Sequence, residues 1–167
     1  MHFIGIDVGT GSARAGVFDG SGRLCGAGSA ALVTHRPATG FAQQESGAIW
    51  AAVCAAVRAA LAASGVSADS VGGLGFDATC SLVVSGADGA PASVDPDDMP
   101  GQDVILWMDH RAIDDAEAIN AIGGTPLAHV GGCISPEMEL PKLRWLKRER
   151  PARAGTMISS LRSVFRI

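Results

Sequence analysis

Tyrosine is absent from this chain, and aromatic residues of all kinds make up only 5% of it. Alanine and glycine are abundant instead, even inside helix-like stretches, which reads as a GC-rich coding bias. Cysteine is scarce as well: Cys25, Cys54, Cys80 and Cys133 are all there are. No two of them stand at a Cys-x-x-Cys spacing and no histidine falls at a ligand spacing from them, which excludes the common zinc modules. The expectation is four free thiols, buried or half-buried, in a reducing compartment. Excess positive charge is lacking too. Thirteen Lys and Arg stand against seventeen Asp and Glu, and the basic residues do not cluster before Lys142–Arg153, so nucleic acid is not an expected partner. The longest apolar run, Ala51–Ala63, is broken by Arg58 and is too short to span a bilayer. No charged segment followed by an apolar one opens the chain, so no signal peptide is read. A soluble, cytoplasmic protein with no membrane partner is the expectation.

The composition that remains, 47% hydrophobic and 18% charged over 167 residues, suits one globular domain with a real core. Phe3–Asp7, Ala13–Phe18 and Arg23–Leu32 read as three strands of an antiparallel meander. The second turn, Asp19-Gly20-Ser21-Gly22, has strong hairpin chemistry. Thr34–Phe41 is a loop. Over Ala48–Ser64 apolar residues recur at spacings of three and four, which predicts a helix, with Ser46 as a candidate cap and Gly65 at the C-terminal stop. Strands follow at Val71–Phe76, Cys80–Val84 and Val104–Trp107. Helices are predicted over Asp109–Ile122 and Pro136–Arg150, the latter with an apolar face of Leu140, Leu143 and Leu146. A meander followed by alternating helices and strands indicates an α/β domain.

Four segments carry chemistry. In Asp7-Val8-Gly9-Thr10-Gly11-Ser12-Ala13-Arg14 a strand delivers a carboxylate straight into a small-residue turn. Such a turn lets main-chain N–H groups approach a polyphosphate, Thr10 and Ser12 add hydroxyl donors, and Asp7 is a hard oxygen ligand suited to Mg²⁺ through water. The loop lacks a Gly-Lys-Ser/Thr ending and leads into a strand, so it is neither a Walker loop nor a dinucleotide fingerprint. A plain tight hairpin is the competing reading. Asp77-Ala78-Thr79-Cys80-Ser81 places a carboxylate and hydroxyls at a strand end, suited to holding a polyol or simply to capping a turn. Trp107-Met108-Asp109-His110-Arg111 reads either as part of a ligand site or as a strand end with an N-capping Asp109 and a solvated Arg111. Ser135-Pro136-Glu137-Met138-Glu139-Leu140-Pro141-Lys142 opens the last helix, and its charges would be ordinary surface charges if nothing binds there.

Taken in order, these segments resemble the N-terminal domain of FGGY-type carbohydrate kinases, most like the ribulokinase and pentulose kinase branch. The resemblance covers residues 1–150, while 151–167 form a tail that does not align. It implies a ribonuclease-H-like fold of the sugar kinase, Hsp70 and actin superfamily. It also implies ATP and Mg²⁺ as cofactors, with Asp7, Gly9, Thr10, Gly11, Ser12 and Arg14 on the nucleotide side and Asp7 on the metal. Asp77, Thr79, Trp107, Asp109, Arg111, Glu137, Glu139 and Lys142 would lie on the sugar side. The substrate class would be a ketopentose such as ribulose, or a pentitol, taken up as a small molecule by a possible homo-oligomer. The family's base aspartate, second phosphate loop and adenosine-binding segment have no counterpart in these residues. The chain is therefore read either as the N-terminal part of an active kinase or as a catalytically incomplete fragment.

Overall fold

The computed structural model describes residues 1–151 and, for the backbone, 157–160. Of the tail at 151–167, the remaining residues lie outside the described set. The described chain divides into two compact units, Met1–Thr34 with Glu45–Cys80, and His35–Gln44 with Ser81–Ser160.

The first unit is a four-stranded sheet backed by one helix. Its strands are β1 (His2–Val8), β2 (Ser12–Asp19), β3 (Leu24–Ala31) and β5 (Val71–Ala78), in the order β3-β2-β1-β5. β1 pairs antiparallel with β2 and parallel with β5, because the helix α1 (Ser46–Ser64) returns the chain for a parallel strand. Alternation sets the faces: Ile4, Ile6, Val8, Ala13, Ala15 and Val17 are buried, as are Ile49, Ala52, Val53, Ala56 and Ala60 of α1. The helix lies very close to β3. A Cβ on Gly26 would sit 2.8 Å from the Ala60 carbonyl oxygen, and one on Gly28 2.6 Å from the Ala60 nitrogen. Only glycine permits that approach. The α1 C-terminus ends on Gly65 in the left-handed conformation, φ 66°, as expected. Its start differs from expectation. Glu45 is the N-cap and makes no side-chain capping bond, because the helix begins directly on a strand end. At 19 residues α1 is long and apolar enough by composition to cross a membrane, longer than the run read from sequence, yet five of its residues are buried within the protein.

The second unit holds a sheet ordered β4-β7-β6-β8, from β4 (Gln43–Glu45), β6 (Leu82–Ser85), β7 (Gln102–Ile105) and β8 (Met157–Ser160). β8 pairs antiparallel with β6. Helices α2 (Ile113–Ile122), α3 (Thr125–Ala128) and α4 (Glu139–Glu149) lie between β7 and β8 in the chain. The core gathers Leu82, Val84, Val94, Ile105, Ala112, Trp145 and Leu146. Two helix starts are later than the sequence suggests. α2 begins at Ile113 because residues 109–112 are held in turns by buried side chains. α4 begins at Glu139, which puts Pro141 in the first turn, where its missing N–H costs nothing. Its buried face is Pro141, Lys142, Trp145 and Leu146, with Leu143 packed against the core; of the leucine row of the sequence pattern only Leu140 turns out half exposed. All four cysteines are free; Cys25 and Cys54 are half-buried as expected, whereas Cys80 and Cys133 are exposed.

Candidate functional site

In the first unit the site starts from strand register. Asp7 is the register partner of Arg14 on β2 and of Asp77 on β5. Paired residues on neighbouring strands point to the same face, so Arg14, Asp7 and Asp77 form one row across three strands. Ile6 and Val8 face α1, so this row lies on the other side of the sheet. The Arg14 guanidinium sits 2.6 Å from the Asp7 carboxylate, with both side chains about half exposed. Asp77 is exposed and accepts a hydrogen bond from the Ala78 amide. The Thr79 amide donates to the Val8 carbonyl at 3.2 Å, fastening the ends of β5 and β1 together beyond the two carboxylates. Sequence reading gave Asp7 and Asp77 to separate sites; the register makes them neighbours.

The turn between β1 and β2 is closed by the Gly9 amide donating to the Ser12 carbonyl, and the Gly11 carbonyl accepts from the Leu32 amide. Neither Gly9 nor Gly11 has a positive φ, so their backbone conformation does not demand glycine. A Cβ on Gly11 would meet nothing within 4 Å, and one on Gly9 would only touch Arg14 and the Ser12 carbonyl at 3.4 Å. What these glycines provide is open space above the main chain. Among the described residues no group of three His, Cys, Asp or Glu could hold a metal ion. Asp7, half exposed beside a turn with open space above Gly11, fits Mg²⁺, which keeps most of its waters and would take its other ligands from phosphate oxygens.

The residues of the second unit that the resemblance puts on the sugar side fall into two kinds. Asp109 and Arg111 have fully enclosed side chains. Asp109 accepts from the Ala42 amide at 2.6 Å and from the Arg111 amide and Nε at 2.9 Å each. The Arg111 Nη2 donates to Asp109 at 2.8 Å and to the Gln43 side-chain oxygen at 2.9 Å, and Nη1 donates to the Val94 carbonyl at 2.9 Å. The guanidinium also lies 4.2 Å over the Phe41 ring and 5.0 Å over Trp145. Asp109 is thus not the N-cap of α2, which is Ala112, and Arg111 is not solvated. Their position braces the segment and gives a ligand no direct access. Lys142 is buried too, its Nζ donating to the Leu106, Trp107 and Glu137 carbonyls.

The second kind stays accessible. Trp107 and Glu137 are half-buried, Glu139 is exposed, and His110 Nε2 lies 3.4 Å from Glu137 Oε1. Gln43 and Ser81, both completely buried, were missed as supports. Gln43 lies in a polar strand with no apolar pattern, and Ser81 sits inside a motif read for its aspartate.

Residues 2–161 match the model of the FGGY family of carbohydrate kinases, N-terminal domain. The chain belongs to that family. It is 46% identical over 152 residues to a D-ribulokinase of Saccharomyces cerevisiae, covering 90% of this chain and 21% of the yeast protein. It is 40% identical over 146 residues to a human FGGY carbohydrate kinase domain-containing protein, covering 87% of this chain and 26% of the human one. The chain therefore spans about a quarter of the length of these relatives. The crystal structure of a xylulose kinase from Rhodospirillum rubrum superposes with a TM-score of 0.81 at 22% identity, over 96% of this chain and 32% of that one. The fold is that of the sugar kinases, ribonuclease-H-like as expected.

Proposed function

We propose that this chain supplies the N-terminal part of an ATP-dependent kinase for a ketopentose or pentitol. The observation that carries the reading is the Arg14–Asp7–Asp77 row beside the open glycine turn. It sets a residue suited to Mg²⁺ next to one suited to a sugar hydroxyl. Phosphoryl transfer asks little covalent chemistry of a protein. It needs the phosphate held in line with the attacking oxygen and its charge neutralised. When bound, MgATP supplies the phosphoryl group and the divalent charge. On the protein side, Gly9, Thr10, Gly11 and Ser12 would line the phosphates, with Arg14 free to move from Asp7 toward them and Asp7 holding the metal's water. On the sugar side the resemblance would put Asp77 and Thr79 of the first unit and, of the second unit, the accessible Trp107, Glu137 and Glu139, with the buried Asp109, Arg111 and Lys142 as supports within that unit.

The resemblance leaves the family's base aspartate without a counterpart in these residues, and taking the proton from the sugar hydroxyl needs a base within about 2.6–3.2 Å of the attacking oxygen. The 167-residue chain is therefore expected to bind but not turn over. In an NMR titration of labelled protein, MgADP should shift the amides of Gly9–Ser12, and D-ribulose those around Asp77–Thr79 or Trp107. A coupled ADP-release assay with D-ribulose, L-ribulose, xylulose and ribitol should stay at background. Silence of all these amides to both ligands would overturn the reading. Sugar-dependent turnover lost in Asp7→Ala would show instead that the chain is a complete enzyme.

A further inference from the structure

Trp107 is held at both ends of its main chain. Its amide donates to Ser81 Oγ at 3.2 Å, and its carbonyl accepts from Lys142 Nζ at 2.8 Å. Ser81 is completely buried and Lys142 nearly so. The same ammonium takes the Glu137 carbonyl at 2.9 Å, so one buried charge joins the main chains of two residues 30 positions apart whose side chains stay accessible. A lysine is suited to this. Its ammonium is a compact point charge with three donors, able to gather three carbonyls that a planar guanidinium fork would not match.

We infer that Lys142 and Ser81 are positioning residues of the sugar side, fixing Trp107 and Glu137 relative to each other without touching the ligand. This rests on the sugar reading above and reassigns Lys142 within it. With its N–H and its C=O both held, the Trp107 main chain is fixed in place, and with it the point from which the ring projects. Glu137, tied through its carbonyl and through its amide to Ser135 Oγ, presents its carboxylate from a fixed main chain. Such preorganisation of binding groups by a buried second layer is what polyol recognition requires.

The test compares Lys142→Met and Ser81→Ala with Val84→Ala, a core change in the same unit that touches neither Trp107 nor Glu137. D-ribulose affinity is measured by calorimetry well below each variant's melting temperature, and the Trp107 indole N–H resonance is followed by NMR. The expected result is affinity about five- to tenfold weaker in the first two variants, the loss of roughly one hydrogen bond's worth of preorganisation. Val84→Ala should bind as the wild type does, and the indole resonance should move only in the first two. Unchanged affinity in those two, or an equal loss in Val84→Ala, overturns the inference. If Lys142→Met does not fold, Ser81→Ala alone carries the comparison. If the wild type itself binds no D-ribulose, the sugar reading fails, and positioning is judged on the indole resonance: moved, it stands, and unmoved, it falls.

Discussion

Breaking the Asp109–Arg111 pair should unsettle the second unit more than almost any other single change. Both side chains are fully enclosed, the carboxylate takes two main-chain amides besides the guanidinium, and the guanidinium takes Val94 and Gln43 and stacks over Phe41 and Trp145. Removing one partner leaves the other charge buried without its counterion, at a cost of about 3–5 kcal/mol. That is a large share of a total stability of about 5–15 kcal/mol. At about 2–4 °C per kcal/mol for a chain of this size, Arg111→Met or Asp109→Ala should lower the melting temperature by about 6–20 °C. The assay is thermal unfolding followed by circular dichroism and by tryptophan emission, since Trp145 lies against the pair. The double variant should be less destabilised than the sum of the singles by about 3 kcal/mol or more, because it leaves neither charge stranded. Simple additivity, or an Arg111→Met variant as stable as the wild type, would refute the reasoning.

Three further outcomes follow from geometry. Hydrogen bonds from the Ser21 hydroxyl, then from Arg23, hold the Asp19 carboxyl far below the usual carboxylate range. A depressed folded value means the hairpin gains stability above the unfolded pKa of about 3.9 and loses it only as pH falls through the lower folded value. A carbon-detected titration should therefore find Asp19 ionised well below pH 3.9, and an ordinary midpoint would contradict this. Gly28→Ala should cost about 1–3 kcal/mol in urea unfolding, because the new Cβ meets the immovable backbone of α1; a neutral result would mean α1 sits further from β3 than described. Gly11→Ala should leave the melting temperature unchanged, since its Cβ meets nothing, yet weaken the amide shifts induced by MgADP. Shifts of full size would show that no phosphate approaches this turn.

The opening meander, α1 and the strand-end position of Asp7 were legible because each is encoded locally, by alternation, by a three-and-four periodicity and by turn residues within a few positions. The supports of the second unit were not. Asp109 and Arg111 look like a helix cap and a surface charge because their partners Gln43 and Val94 lie 68 and 17 positions from Arg111. Lys142 looks like helix-surface charge because main-chain carbonyls, which have no sequence signature, are what it binds. β4 is three polar residues whose two glutamines are buried, so no hydrophobic pattern announces it. The adjacency of Asp7 and Asp77 depends on parallel pairing across 70 positions, and register of that kind is decided by the assembled sheet.

The contact between β3 and α1 bears on how this sequence can change over time. Gly26 and Gly28 meet the main chain of α1 around Ala56, Ala60 and Ser64, so little side-chain volume separates strand from helix. A side chain on either glycine wedges two backbones apart, and no neighbour can shrink to compensate, because what the new atom meets is mostly helix main chain. A genome that drifts toward glycine codons therefore loses nothing at these two strand positions, whereas alanine at either would already collide with the helix. At this contact mutational bias and steric demand select the same residue on the strand side, glycine.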